Sequence, residues 1–345
     1  MKGETYRTIE MHTAGEPVRI VVDGYPELPG ASLLEKRRYA SQHLDHIRKR
    51  LMLEPRGHAE MYGVIPTRPS HPAADLAVLF THNSGYSTMC GHATIAIGRW
   101  AIEHRLVAPR GTGGIAEFAL ECPCGPVHLR AHREGSGIGR VEFDSVPAFP
   151  SRLDCVIETP AFGRLRVDIA YGGAFYAVLP ASRLGLSLFD SPLHELVAAG
   201  VAVTEAGRAQ VAIEHPSEPD LAFLYGTILT CDAAPQDRVS HNLCIFAEGQ
   251  VDRSPTGSGV TARMALDHAK GLVKSGFRRE FRGLSGDPFS GEIVEETAGA
   301  QSAVIVRVGG RAYYTGTASF VAEPDDPLRD GLAAPARMRE VWGRG

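Results

Sequence analysis

Proton-moving residue types cluster at Cys90-Gly91-His92, and a second stretch, Asp252-Arg253-Ser254-Pro255-Thr256-Gly257-Ser258-Gly259, repeats the layout. Laid over each other, Cys90 falls on Thr256, and each is followed by Gly, small residues and a run of helical character. Both residues are thereby placed at the mouth of a helix N-terminus. A helix start offers unpaired N–H groups and about half a positive charge, which holds a carboxylate and lowers the pKa of a thiol sitting there. Two such starts facing one pocket would grip a small anion from both sides. Thiolate, helix dipole and the imidazole of His92 together make a base or nucleophile. The blander alternatives are a buried small hydrophobe for Cys90 and a structural histidine for His92.

Other chemistries fit the residues less well. Gly257-Ser258-Gly259-Val260-Thr261-Ala262 matches the dinucleotide fingerprint G-x-G-x-x-A, but Asp252 to Thr256 intervene where a strand should lead straight into the glycines. Cys122-Pro123-Cys124 has one intervening residue, whereas zinc knuckles and thioredoxin-like sites use two. Neither a metal nor a cofactor is therefore expected. The six cysteines are scattered in a chain whose N-terminus lacks a signal-peptide core, which favours free thiols. A net charge of −4 gives no reason to expect nucleic acid. No stretch approaches the ~18 apolar residues of a membrane helix, so the cytoplasm is the default location.

The elements that must position these residues can be read in order. Thr8 to Val22 reads as strand, polar turn and strand. The pattern from Ser32 to Leu53 has helical spacing and is expected as one surface helix, broken by Pro55-Arg56-Gly57-His58. Asp75 to Phe80 is a strand leading to Cys90, and the helix after it is apolar around nearly its whole circumference, so it should be buried on all sides. Short strands follow (114–119, 127–131, 139–143), and Val146 to Ser151 is the best linker. The order then recurs: strands at 164–170 and 174–179, a helix over about 191–209, strands, the second helix-capping motif, and strands at 303–308 and 312–315. With 345 residues the prior is two domains. The expectation is α/β: an N-terminal domain over 1–148, a duplicated one over 149–320, and residues 321–345 as a candidate return to the first. Each would be a curved, mostly antiparallel sheet or barrel around a central helix.

Met89-Cys90-Gly91-His92-Ala93 and Asp252 to Gly259, with His12-Thr13-Ala14-Gly15-Glu16-Pro17, Tyr171-Gly172-Gly173-Ala174-Phe175-Tyr176 and Tyr314 to Phe320, carry a resemblance to the proline racemase superfamily. It covers essentially the whole chain. Racemases and 4-hydroxyproline epimerases of that group carry cysteine in both focal stretches. Thr256 in the second stretch is similar instead to the trans-3-hydroxy-L-proline dehydratase branch. The resemblance implies two similar domains of the diaminopimelate epimerase-like kind with the ligand in the cleft between them. It also implies Gly91, His92, Asp252, Gly257 and Ser258 as substrate contacts, hydroxyproline as substrate, no cofactor and a possible homodimer. Thr256 cannot serve as a second base, its hydroxyl being far less acidic than a thiol of pKa about 8.5. Cys90 alone would take the α-proton, and elimination of a 3-hydroxyl would follow. An epimerase using His92 or water as second acid, a nicotinamide enzyme and an inactive amino-acid-binding protein are the alternatives.

Overall fold

Sheet dominates the computed structural model, which describes residues 3–234, 237–297 and 303–333. Five helices are α1 (Leu33–His43), α2 (Asp45–Met52), α3 (Gly91–Glu103), α4 (Leu193–Gln210) and α5 (Gly257–Ala269). The strands pair mostly antiparallel. Parallel pairings join Phe175–Pro180 to Leu224–Thr230, Val239–Phe246 to Arg278–Arg282, Glu16–Asp23 to Tyr62–Thr67, and Leu76–His82 to Ile115–Cys122. The mixed α/β class expected from the sequence is what is found.

Two helices organise this sheet. Along α3, Ala93, Ile95, Ala96, Ile97 and Ala101 are wholly buried, and the helix contacts Gly125–Glu134, Gly137–Asp144 and Ala303–Ala322. Helix α5 buries Val260, Ala262, Met264 and Leu266 against Phe149–Thr159, Gly163–Tyr171, Pro288–Thr297 and the same long strand. Small residues let sheet approach α3 from every side, as a helix with no polar face requires, and let it approach α5 along its first ten residues, Gly257 to Leu266. Burial here fixes both helix starts rigidly, and that rigidity is what the site inherits.

Three local expectations need correction. The single helix over 32–53 is two, because Leu44 leaves helical geometry (φ −123°, ψ 12°) after its N–H closes α1 on the Ala40 carbonyl. Nor are they surface scaffolding: Ile47, Leu51 and Met52 are buried with Leu33 and Ala40 in a second apolar cluster. The Val146 to Ser151 linker is largely tied into sheet, since Ala148 bridges Val304 and the strand Phe149–Thr159 starts inside it. The strands expected at 303–308 and 312–315 are one, Ala303–Ala322. Its first half pairs with Pro288–Thr297 and Gly137–Asp144, its second with Glu4–Thr13. Beyond it, Asp330 and Asp326 pair with Arg50 and Arg56, and the Leu332 N–H donates to the Glu54 carbonyl at 2.7 Å. Residues 334–345 of the candidate returning segment lie outside the described residues.

Candidate active site

The starts of α3 and α5 meet backbone to backbone. A Cβ built on Gly91 would lie 2.4 Å from the Gly257 Cα, and one on Gly257 would lie 2.7 Å from the Gly91 Cα. Only glycine permits this approach. Among the described residues, the N–H groups of Gly91, His92, Gly257 and Ser258 have no protein acceptor. Four unpaired donors at two converging helix starts make a carboxylate cradle.

Cys90 caps α3, its sulfur accepting from the Ala93 N–H at 3.4 Å. Its Sγ lies 3.1 Å from His92 Nδ1. The His92 carbonyl accepts from Thr13 Oγ1 at 2.8 Å, which ties this turn to the His12 to Pro17 hairpin. Tyr62 packs edge-on against the His92 ring, with centroids 4.7 Å apart. Burial lowers the His92 pKa to about 3, assisted by Arg253, so the imidazole is neutral and can accept a proton. Its Nε2 lies 3.6 Å from the same Cys90 sulfur, and a neutral ring has one nitrogen free to accept from the thiol.

The helix start does not leave Cys90 acidic, contrary to the sequence expectation. Burial pushes its pKa well above the ordinary thiol value, against the lowering effect of the Ala93 N–H and Tyr62; Asp252 and Glu16 raise it further. Desolvation outweighs the helix dipole here because Cys90 is buried. The resting pair is thus thiol and neutral imidazole.

At the second start Thr256 sits at φ 63°, ψ 96°, a genuine outlier for a β-branched residue. Its conformation is held by a ring of bonds. Thr256 Oγ1 donates to Asp252 Oδ2 at 2.8 Å, the Ser254 N–H donates to Asp252 Oδ1 at 2.8 Å, and the Thr256 N–H donates to Ser254 Oγ at 3.1 Å. Strain of this kind costs about 1–3 kcal/mol and collects at functional sites. Burial raises the Asp252 pKa, against those hydrogen bonds and Arg253. Behind it Glu16 is fully buried, one carboxylate oxygen accepting from the Arg253 N–H at 2.8 Å and the other without a partner among the described residues.

Cys90, Gly91, His92, Asp252, Thr256 and Ser258 line one cavity of about 20 Å³. Gly257, the remaining predicted contact, does not line the cavity itself but packs against Gly91, which does. Sequence reading missed the aromatic wall of Tyr62, Tyr176, Tyr225 and Phe246, and also Cys244. Tyr176 OH and Ser258 Oγ are 2.7 Å apart, and Tyr62 OH lies 2.5 Å from Ser87 Oγ. For Cys244 a signal existed: the tight turn before Gln250 puts it directly opposite Asp252 in the hairpin, hence on the same face. The glycines of the dinucleotide-like motif are consumed by packing, Gly257 on Gly91 and Gly259 against Ile228, so no room remains for a pyrophosphate. Cys122 is buried, and burial pushes the Cys124 thiol up to about 12. Among the described residues no group of three His, Cys, Asp or Glu is placed to hold a metal, and no helix is long and apolar enough to cross a membrane.

The chain is 53% identical over 330 residues to a human protein named trans-3-hydroxy-L-proline dehydratase, covering 94% of this chain and 93% of the relative. It is 40% identical over 328 residues to a Burkholderia multivorans protein named 3-hydroxyproline 2-epimerase, covering 94% and 97%. In three dimensions it resembles a hydroxyproline epimerase from Agrobacterium vitis, crystallised with trans-4-hydroxy-L-proline, with a TM-score of 0.89 and 26% identity over 96% of this chain and 95% of that one. The family model described as proline racemase matches residues 8–333, so this chain belongs to the proline racemase family.

Proposed function

We propose that this protein dehydrates trans-3-hydroxy-L-proline to pyrroline-2-carboxylate without a cofactor. The observation that carries this reading is the asymmetry of the two helix starts: a thiol–imidazole pair at Cys90 and His92 on one, a threonine hydroxyl at Thr256 on the other, over one carboxylate cradle. The name of the human relative supports it. The substrate carboxylate would bind the N–H groups of Gly91, His92, Gly257 and Ser258, and the ring ammonium would bind Asp252. Burial is the main cause of the raised Cys90 pKa, with the Asp252 and Glu16 carboxylates adding to it; the ring ammonium offsets that added part, and the thiol passes its proton to His92. The Cys90 thiolate takes the α-proton, the C–H electron pair forms the C2–C3 double bond, and the C3–O bond breaks. The His92 imidazolium returns its proton to the departing hydroxyl as water. Both groups end as they began, and the enamine tautomerises to the cyclic imine.

In trans-3-hydroxy-L-proline the α-hydrogen and the hydroxyl share one ring face, so elimination is syn and one catalytic face suffices. Developing negative charge at the carboxylate is stabilised by preorganised N–H donors, the kind of effect worth about 10²–10³ in rate per donor. We further propose 1–148 and 149–320 as the two halves between which the ligand sits. Incubation with trans-3-hydroxy-L-proline, trans-4-hydroxy-L-proline and L-proline, following imine against epimer, tests the reading. Imine from the first alone is expected, and 2-epimer as the main product would replace dehydration by epimerisation, the activity named for the Burkholderia relative.

A further inference from the structure

The Thr256 side of the cavity is not without a thiol. Cys244 is 1% exposed and lines the same cavity as Cys90, Asp252 and Thr256. It stands on Val239–Phe246, paired in register with Asp252 across the hairpin, and residues directly opposite in an antiparallel pair project to the same face. The two thiols reach the cavity from different elements, Cys90 from the start of α3 and Cys244 from the strand that leads towards α5. Sharing the cavity lining with Cys90, Asp252 and Thr256 places Cys244 on the wall that a ring bound over those residues would face. A buried strand cysteine is ordinarily only a small hydrophobe, but that role needs neither a cavity-facing position nor a carboxylate as its cross-strand partner.

We propose that Cys244 is a second acid–base thiol of this site, giving the protein a 2-epimerase side activity on the ring substrate it dehydrates. This rests on the α-proton chemistry of Cys90 proposed above. With the Cys90 thiolate having taken the α-proton from one face, the Cys244 thiol delivers its own proton to the α-carbon from the other. One C–H bond breaks and one forms, and the Cys244 thiolate is reprotonated from the His92 imidazolium or solvent before the next turnover. Burial, together with Asp252 and Glu16, holds the Cys244 proton in place, with the Thr256 hydroxyl pulling the other way. A reluctant acid of this kind loses to water departure when a 3-hydroxyl is present, so the epimer is the minor product.

The test is product partition in deuterated solvent with trans-3-hydroxy-L-proline, resolving imine from α-deuterated 2-epimer on a chiral column. Wild type is expected to form a minor epimer fraction, and Cys244→Ala to lower the epimer-to-imine ratio at least tenfold, with Cys244→Ser as a volume-matched second variant. A purely structural role would lower both products together and leave the ratio unmoved, which overturns the proposal. Imine with no epimer in wild type also overturns it and leaves the dehydratase reading standing. Cys244-dependent epimer without imine supports the second thiol and removes dehydration; neither product sinks both.

Discussion

Replacing Cys90 with serine leaves the cradle and Asp252 untouched while removing the thiol that takes the α-proton on the face of the departing hydroxyl, so imine formation should fall by about 10²–10⁴ or more. Calorimetric binding of a proline-like carboxylate should persist, and turnover within tenfold of wild type would exclude the thiol as base. Thr256→Cys should raise the share of 2-epimer, because a thiol then stands at the second helix start beside Asp252; unchanged partition would show that Thr256 does not face the α-carbon. The pH profile follows from the shifted groups. With the His92 pKa lowered to about 3 and the Cys90 pKa raised, thiol and neutral imidazole are the working pair across the neutral range, so kcat/KM should be level there and fall at alkaline pH, where the thiol proton needed by the leaving hydroxyl is lost to solvent. Its acid limb belongs to Asp252, which ionises above the usual carboxylate value, and no inflection should stand near 6.5, the ordinary histidine value. An inflection there that vanishes in His92→Asn would contradict the neutral, buried imidazole. Cys90, His92, Asp252 and Thr256 were legible in the sequence because each lies in a short local motif. Tyr62 and Glu16 were not assigned because their contacts come from across the fold, and the direction of the Cys90 shift was misread because desolvation is a property of the folded interior.

At the scale of elements, everything depends on α3 and α5 touching at Gly91 and Gly257. Gly91→Ala sets a methyl carbon 2.4 Å from the Gly257 backbone, where no side chain can give way. Overpacking of this kind costs about 1–3 kcal/mol, and spreading the cradle should remove most activity. A urea midpoint and an imine assay measure both effects, and an alanine variant with wild-type values would mean that the two starts are not in contact. The buried character of α3 was legible from its all-round apolar surface, and that of α5 from a face of small residues that includes Ala262, Ala265 and Leu266. The break at Leu44 was not, because the apolar spacing runs through it and only the local geometry of one residue divides α1 from α2. Nor was the continuity of Ala303–Ala322, since Gly309 and Gly310 read as punctuation. In the structure they are where Phe289 and the Arg140 and Glu142 side chains press on the backbone.

For the whole molecule, a cavity of about 20 Å³ is room for roughly one water, so a ring amino acid enters only if the walls part. The contacts to be broken are visible: His82 with Gln250, Gln250 with Asn83, and Glu60 with Arg253. Ligand should therefore slow amide hydrogen exchange around 83–92 and 250–258 together, and at one hundred times its Kd should stabilise the fold by about 2.7 kcal/mol. Protection confined to one of the two segments would show that they do not close as a unit. The long strand Ala303–Ala322 has a consequence for how this chain is made. Glu4–Thr13 emerges first, yet its outer neighbour is the second half of that strand, about 300 residues later, or roughly 15–60 s of synthesis at ordinary ribosomal speed. Throughout that interval the nascent chain displays a ten-residue open sheet edge, the surface on which strands of other chains nucleate aggregates. Yield in the cell should accordingly depend on chaperones that hold the first strand until the last one arrives, and a chain truncated at 302 should precipitate even though every residue of the cavity is present.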